Sequence, residues 1–165
     1  MADTAALRER GATFWAQAAA GWVRHADRQD QVGRPLGAAA LDWLRAQPGE
    51  RILDVGCGCG GTTAELAAAV APNGTAVGLD LAAEMIAGAR SRFGDRRPAV
   101  QFVAADIESL ACVPGAPFDA AYSRMALMLL ADPVAGCATI RRSLRPGGRL
   151  APDRAALRAA AGALR

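Results

Sequence analysis

Short apolar runs and helix-spaced apolar positions take turns along most of this chain. Ile52-Leu53 and Val55 make a brief run closed by glycines, which predicts a strand over Arg51 to Val55. Thr62 to Val70 reads as a helix, Pro72-Asn73-Gly74 as a turn, and Thr75 to Leu79 as a second strand. A helix over Ala82 to Phe93, strands over Ala99 to Val103 and Phe118 to Tyr122, and a helix from Pro133 to Leu144 continue the series. Short buried strands separated by helices predict an α/β domain with a doubly wound, mostly parallel sheet.

Ahead of Arg51 the pattern is helical. Ala5 to about Arg28 carries Phe14, Trp15, Ala18, Trp22 and Val23 on one apolar side. A polar stretch, Asp27 to Gln31, leads to Gly33-Arg34-Pro35. Proline suits a first helical turn, so a further helix is expected to begin at Pro35, with Leu36, Ala39, Ala40, Trp43 and Leu44 on its apolar face. Three segments result: helices over 1–48, an α/β core over 49–150 and a divergent helical tail over 151–165. At 165 residues the chain is long enough for a single core. The 52% hydrophobic fraction overstates that core, because much of it is alanine and only 5% of residues are aromatic.

Charge and cysteines exclude several function classes. The net charge is +3, and all 19 basic residues are arginines scattered from Arg8 to Arg165. Nucleic-acid binders show a clustered basic stripe, and the pairs Arg96-Arg97 and Arg141-Arg142 are too short to be one. No nucleic-acid partner is expected. Cys57 and Cys59 have no second cysteine pair near them to complete a metal site, Cys112 and Cys137 lie far along the chain, and the single histidine is His25. No apolar run approaches the roughly 20 residues of a membrane span. The stretch after Arg8 and Arg10 is too weakly apolar for a leader, so a cytoplasmic protein without a membrane partner is expected.

The strongest local signal is Leu53-Asp54-Val55-Gly56-Cys57-Gly58-Cys59-Gly60-Gly61. A strand runs into glycines that permit a sharp turn and close ligand approach, just ahead of a helix. Gly56, Gly58 and Gly61 satisfy G-x-G-x-x-G, the spacing of dinucleotide-binding turns. Asp54 argues against that ligand: a carboxylate at the end of the strand repels a pyrophosphate and favours a ligand carrying positive charge. S-adenosylmethionine has no phosphate and bears an ammonium and a sulfonium. Asp80, at the end of the second strand, stands near the roughly 20-residue offset of an acid that binds ribose hydroxyls. That position suits either cofactor, and it also suits a cap on the helix from Ala82.

With these motifs in order, residues from about Glu50 to Leu150 resemble the Rossmann-like core of the class I S-adenosylmethionine-dependent methyltransferases. The resemblance implies that Asp54 and the backbone of Gly56, Cys57 and Gly58 hold the methionine portion, with Gly60 in the same cofactor-binding turn. It implies that Asp80 takes the ribose hydroxyls and that Leu81 and Met85 pack on the adenine. Phe102 to Ile107 is similar to the segment that meets the adenine amino group, which brings in Asp106 and Ile107. Phe118 to Arg124 matches the fourth strand, and Ser123 would stand where methyl donor and acceptor meet. The N-terminal piece resembles a lid, with Trp22 and Arg28 read as packing residues and a substrate-facing role as their alternative.

The implied function is methyl transfer from S-adenosylmethionine to a small-molecule acceptor. The alternative is a non-catalytic module that binds this cofactor or its demethylated product and works with a partner subunit. A sulfonium is already activated, so alignment and exclusion of water are the main tasks. No catalytic residue is assigned; His25, Asp27, Asp119 and Tyr122 are the candidate bases. The resemblance fails after Leu150, where Ala151-Pro152-Asp153-Arg154 replaces a hydrophobic fifth strand and proline spoils a central one, so the sheet is expected to be incomplete after its fourth or fifth strand. The expectation is a chain truncated by a frameshift near codon 151, marginally stable and weak in cofactor affinity. Two copies are expected to pair through the edge of a fourth strand left bare.

Overall fold

The computed structural model describes residues 3–94 and 99–153. The Arg96-Arg97 pair and the expected helical tail beyond Asp153 lie outside them. Five strands form one sheet: β1 (Arg51–Val55), β2 (Thr75–Asp80), β3 (Val100–Ala104), β4 (Phe118–Ser123) and β5 (Leu144–Pro152). Their order is β3-β2-β1-β4-β5 and every pairing is parallel. The helices are α1 (Thr4–Arg24), α2 (Ala26–Leu44), α3 (Gly61–Ala69), α4 (Ala83–Ala89) and α5 (Pro133–Ser143). This is the doubly wound α/β arrangement that the sequence pattern predicts.

Alternation along the strands feeds two apolar layers. Ile52, Ala76, Phe102, Ala120 and Tyr122 face α2, α3 and α4, where they meet Leu44, Leu66, Val70 and Ile86. Leu53, Val55, Val77, Leu79 and Ala121 face the other way, onto Ile107, Val113, Leu127 and Ile140 of α5. A period of two puts Asp54 on the first face, among α2 and α3, although it is a carboxylate. That placement builds the site.

Helix ends follow local chemistry. Asp3 caps α1 by accepting from the Ala5 amide at 3.0 Å, and Asp132 caps α5 by accepting from the Ala135 amide at 2.9 Å. Pro133 occupies the first turn of α5, where a missing N–H costs nothing. Pro35 does not start a helix as expected: α2 begins at Ala26 and runs through it. The ring and Gln31, whose carbonyl loses its helical partner, both lie on the exposed side, so water can replace the lost bond. The polar stretch before Pro35 is therefore the first two turns of α2.

The fifth strand expected to be missing is present. β5 pairs with β4 through Arg149↔Ala120, Leu150↔Ala121, Ala151↔Tyr122 and Ser123↔Pro152, after a bulge between Leu144 and Arg149. Proline is tolerated because β5 pairs on one side only among the described residues, leaving Pro152 on an edge. β4 is consequently interior, and the bare edge proposed for pairing two copies is covered. Arg149 pins β5 to the end of α2, donating to the Leu44 carbonyl at 2.5 Å and pairing with Glu50 at 2.7 Å.

Candidate functional site

In parallel sheets a crevice opens where strand order reverses, outside the carboxyl ends of the strands. Here β1 is followed by β2 on one side and β4 lies on the other, and the ends of β1, β2, β3 and β4 surround a cavity of about 590 Å³. α1 and α2 roof it with Phe14, Trp15, Trp22 and Leu36. α1 is seated by Ala19 against Ala82 and Met85, with Trp15 packed on that cluster. No helix among the described residues is long and apolar enough to cross a membrane.

The glycine turn leaves β1 and is stitched to β2: the Gly56 and Cys57 amides both donate to the Leu79 carbonyl, at 2.8 and 3.1 Å. Gly60 requires its glycine twice over. Its φ is +82°, and an added Cβ would lie 2.7 Å from the Phe102 ring. Gly60 does not line the cavity, whereas Gly56, Cys57 and Gly58 do.

Asp54 is only 2% exposed yet lies on the cavity wall. The Thr63 hydroxyl donates to its Oδ2 at 2.7 Å. Burial raises its pKa to about 6, against opposing help from Thr63 and Arg124. Asp80 accepts from the Gly58 amide on Oδ2 and from the Ala82 amide on Oδ1, each at 2.9 Å, so it closes the turn and caps α4 together. Burial raises its pKa despite those bonds. Burial likewise raises the Cys57 thiol, with Asp54 and Asp80 adding to it, and the Cys59 thiol, where Arg92 opposes.

Leu81, Met85, Asp106 and Ile107 also line the cavity. Asp106 accepts from the Glu108 amide on Oδ1 at 2.8 Å, and its Oδ2 is held by Arg8 of α1 through Nε at 3.1 Å and a second, shorter contact. Ser123 is not on the wall. It is fully buried and donates its hydroxyl to the Val55 carbonyl at 3.1 Å, which leaves Arg124, Met125 and Ala126 to form that side of the cavity.

None of the candidate bases reaches the cavity. His25 is exposed at the joint between α1 and α2, and Asp27 is exposed and paired with Arg92. Asp119 lies at the opposite end of the sheet, accepting from the Arg51 amide at 2.7 Å. Tyr122 is wholly buried, donates to the Gly37 carbonyl at 3.4 Å, and has its pKa pushed up by burial. Trp22 lines the cavity and Arg28 does not, so the lid reading suits the tryptophan alone. Sequence reasoning missed Arg8, Asp30, Thr63 and Arg124. Thr63 had a local signal, one turn into the helix after the glycines; the other three meet the site only through tertiary packing. Among the described residues no group of histidine, cysteine and acidic side chains could hold a metal.

Comparison with known proteins gives this geometry a context. A family model described as a methyltransferase domain matches residues 52–148. An uncharacterized 37.1 kDa protein in transposon Tn4556 of Streptomyces fradiae is 43% identical over 119 residues, covering 72% of this chain and 34% of that one. Nocamycin O-methyltransferase of Saccharothrix syringae is 33% identical, covering 71% and 42% respectively. The solved S-adenosylmethionine-dependent methyltransferase of Mesorhizobium loti superposes with a TM-score of 0.60 at 32% identity, over 68% of this chain and 49% of the other. The chain thus spans about a third to a half of these relatives.

Proposed function

Since the chain belongs to the methyltransferase domain family, we propose that its cavity holds S-adenosylmethionine and presents the methyl group to a small-molecule acceptor. The observation that carries this reading is the buried carboxylate of Asp54 on the wall beside a glycine turn. Thr63 and Arg124 offset only part of the cost of burying that charge, and a cationic ligand supplies the rest. A pyrophosphate would meet a like charge there.

The remaining residues fit the same ligand. Each Asp80 oxygen accepts one backbone amide and keeps a lone pair, enough to accept both hydroxyls of a ribose. Leu81, Met85 and Ile107 supply an apolar slot for a flat base. Asp106 offers an acceptor at its edge, in competition with Arg8. When bound, the cofactor supplies an electrophilic methyl group on sulfur. The chain's own part is to hold Asp54 ionised against the ammonium, to fix the direction of approach, and to exclude water beneath the α1–α2 roof. His25, Asp27, Asp119 and Tyr122 take no proton in this scheme, since all four lie off the cavity.

With none of the four candidate bases on the cavity wall, a second reading is a cofactor-binding module that does no chemistry itself. Calorimetric titration with S-adenosylmethionine and with NAD tests the cofactor: binding of NAD in preference would defeat the proposal. Transfer of a labelled methyl group to small molecules then separates an enzyme from a binder.

A further inference from the structure

Most charged side chains on the cavity wall are spent on a neighbour. Arg8 pairs with Asp106, Asp30 with Arg92, and Asp54 accepts from Thr63. Asp80 caps backbone amides, as does Glu108, which accepts from the Ala131 and Asp132 amides at 3.1 and 2.7 Å. Arg124 is different. It lines the cavity from the end of β4 and makes no hydrogen bond or ion pair among the described residues. Its charge is felt by Asp54 across the wall, but its five N–H donors, in a fixed fork, have no hydrogen-bond acceptor among the described residues.

The side chain is seated by a purpose-shaped groove. Gly33 and Gly37 lie one helical turn apart on α2, and the Arg124 stem crosses them. A Cβ at Gly37 would come within 2.9 Å of Arg124 Cδ, and one at Gly33 within 3.1 Å of its guanidinium carbon. The same cavity offers open apolar wall: Phe14, Trp22, Val32, Leu36, Met125 and Leu129 all line it and are substantially exposed. These residues belong to the part of the cavity that the cofactor reading leaves unassigned.

We propose that Arg124 recognises the acceptor, and that the acceptor is an apolar or aromatic molecule bearing a carboxylate. A single guanidinium pairs with a carboxylate through two parallel bonds. The nearby carboxylate Asp54 disfavours a dianion such as a phosphate monoester, which would also need more donors than one side chain offers. This rests on the cofactor reading only in assigning the rest of the cavity elsewhere.

The test compares two isosteric probes, 2-naphthoate and its neutral amide 2-naphthamide, by calorimetry with and without S-adenosylhomocysteine. Wild-type protein should bind the acid at least about tenfold tighter than the amide. Arg124→Gln should erase that preference while leaving S-adenosylhomocysteine affinity within about twofold, and Arg124→Lys should keep part of it. Equal binding of acid and amide by wild-type protein overturns the proposal. So does a large loss of S-adenosylhomocysteine affinity in Arg124→Gln with 5′-methylthioadenosine unaffected, since that assigns the fork to the cofactor's own carboxylate. If wild-type protein binds no S-adenosylhomocysteine, the cofactor reading fails separately, and the probe preference is still read on the ligand-free protein.

Discussion

Lowering the pH should weaken cofactor binding through Asp54 and strengthen the empty protein at the same time. The carboxylate titrates at about 6 because it is buried. A cationic ligand needs the ionised form, so affinity scales with the ionised fraction. That fraction is nearly complete at pH 7.5 and about a tenth at pH 5, which predicts about a tenfold loss in S-adenosylhomocysteine affinity. 5′-Methylthioadenosine keeps the adenosine contacts to Asp80 but lacks the ammonium, so its affinity should change far less. Stability runs the other way. A carboxylate raised from 3.8 to about 6 on folding contributes fully below the unfolded value and loses that contribution as pH climbs through 6, an effect of about 3 kcal/mol in full, of which about 1.4 kcal/mol falls between pH 5 and 7.5. Asp54→Asn should flatten both curves, bind S-adenosylhomocysteine weakly at every pH, and melt higher than wild type at pH 7.5. Titration calorimetry and thermal melts from pH 5 to 7.5 measure the two trends. A flat S-adenosylhomocysteine profile, or a 5′-methylthioadenosine profile of equal slope, would refute the pairing of Asp54 with an ammonium.

Arg8→Met should raise S-adenosylhomocysteine affinity up to about fivefold by releasing Asp106, since a partly exposed ion pair contributes about 1 kcal/mol or less; an unchanged or lower affinity counts against Asp106 as an adenine acceptor. Gly60→Ala should destabilise by about 2–4 kcal/mol in urea unfolding, from its left-handed backbone and the Phe102 ring together, and a loss under 1 kcal/mol would show that the turn yields easily. His25→Ala should leave methyl transfer, and its pH profile, as in wild type; a large rate loss would mean that the helix joint closes over the cavity during turnover.

What was legible in the sequence was what local chemistry specifies. β1, β2 and β4 came from short apolar runs, the turn from its glycines, and Asp54 and Asp80 from their positions at strand ends. Pro35 misled because the usual preference of proline for a first turn ignores whether the unpaired carbonyl can reach water. Pro152 misled in the same way, since its effect on a strand depends on which neighbour the strand has. Ser123 sits at the right strand end but one residue out of phase, pointing into the protein while Arg124 points to the cavity. Arg8 and Arg124 could not be found, because their partners lie about a hundred residues away or are supplied by a gap between two glycines of α2. Side-chain meetings of that kind are decided by helix docking and leave no periodic trace.

The two thiols beside the glycine turn bear on self-inflicted damage. Cysteine thiolates are strong nucleophiles, and an electrophilic methyl donor held in this cavity would share its wall with Cys57 and Cys59. Both keep their protons firmly, because burial raises both and the neighbouring carboxylates disfavour a second negative charge. The carboxylate that welcomes a cation thus also disarms the sulfur next to it, and the turn can carry cysteines without becoming its own substrate.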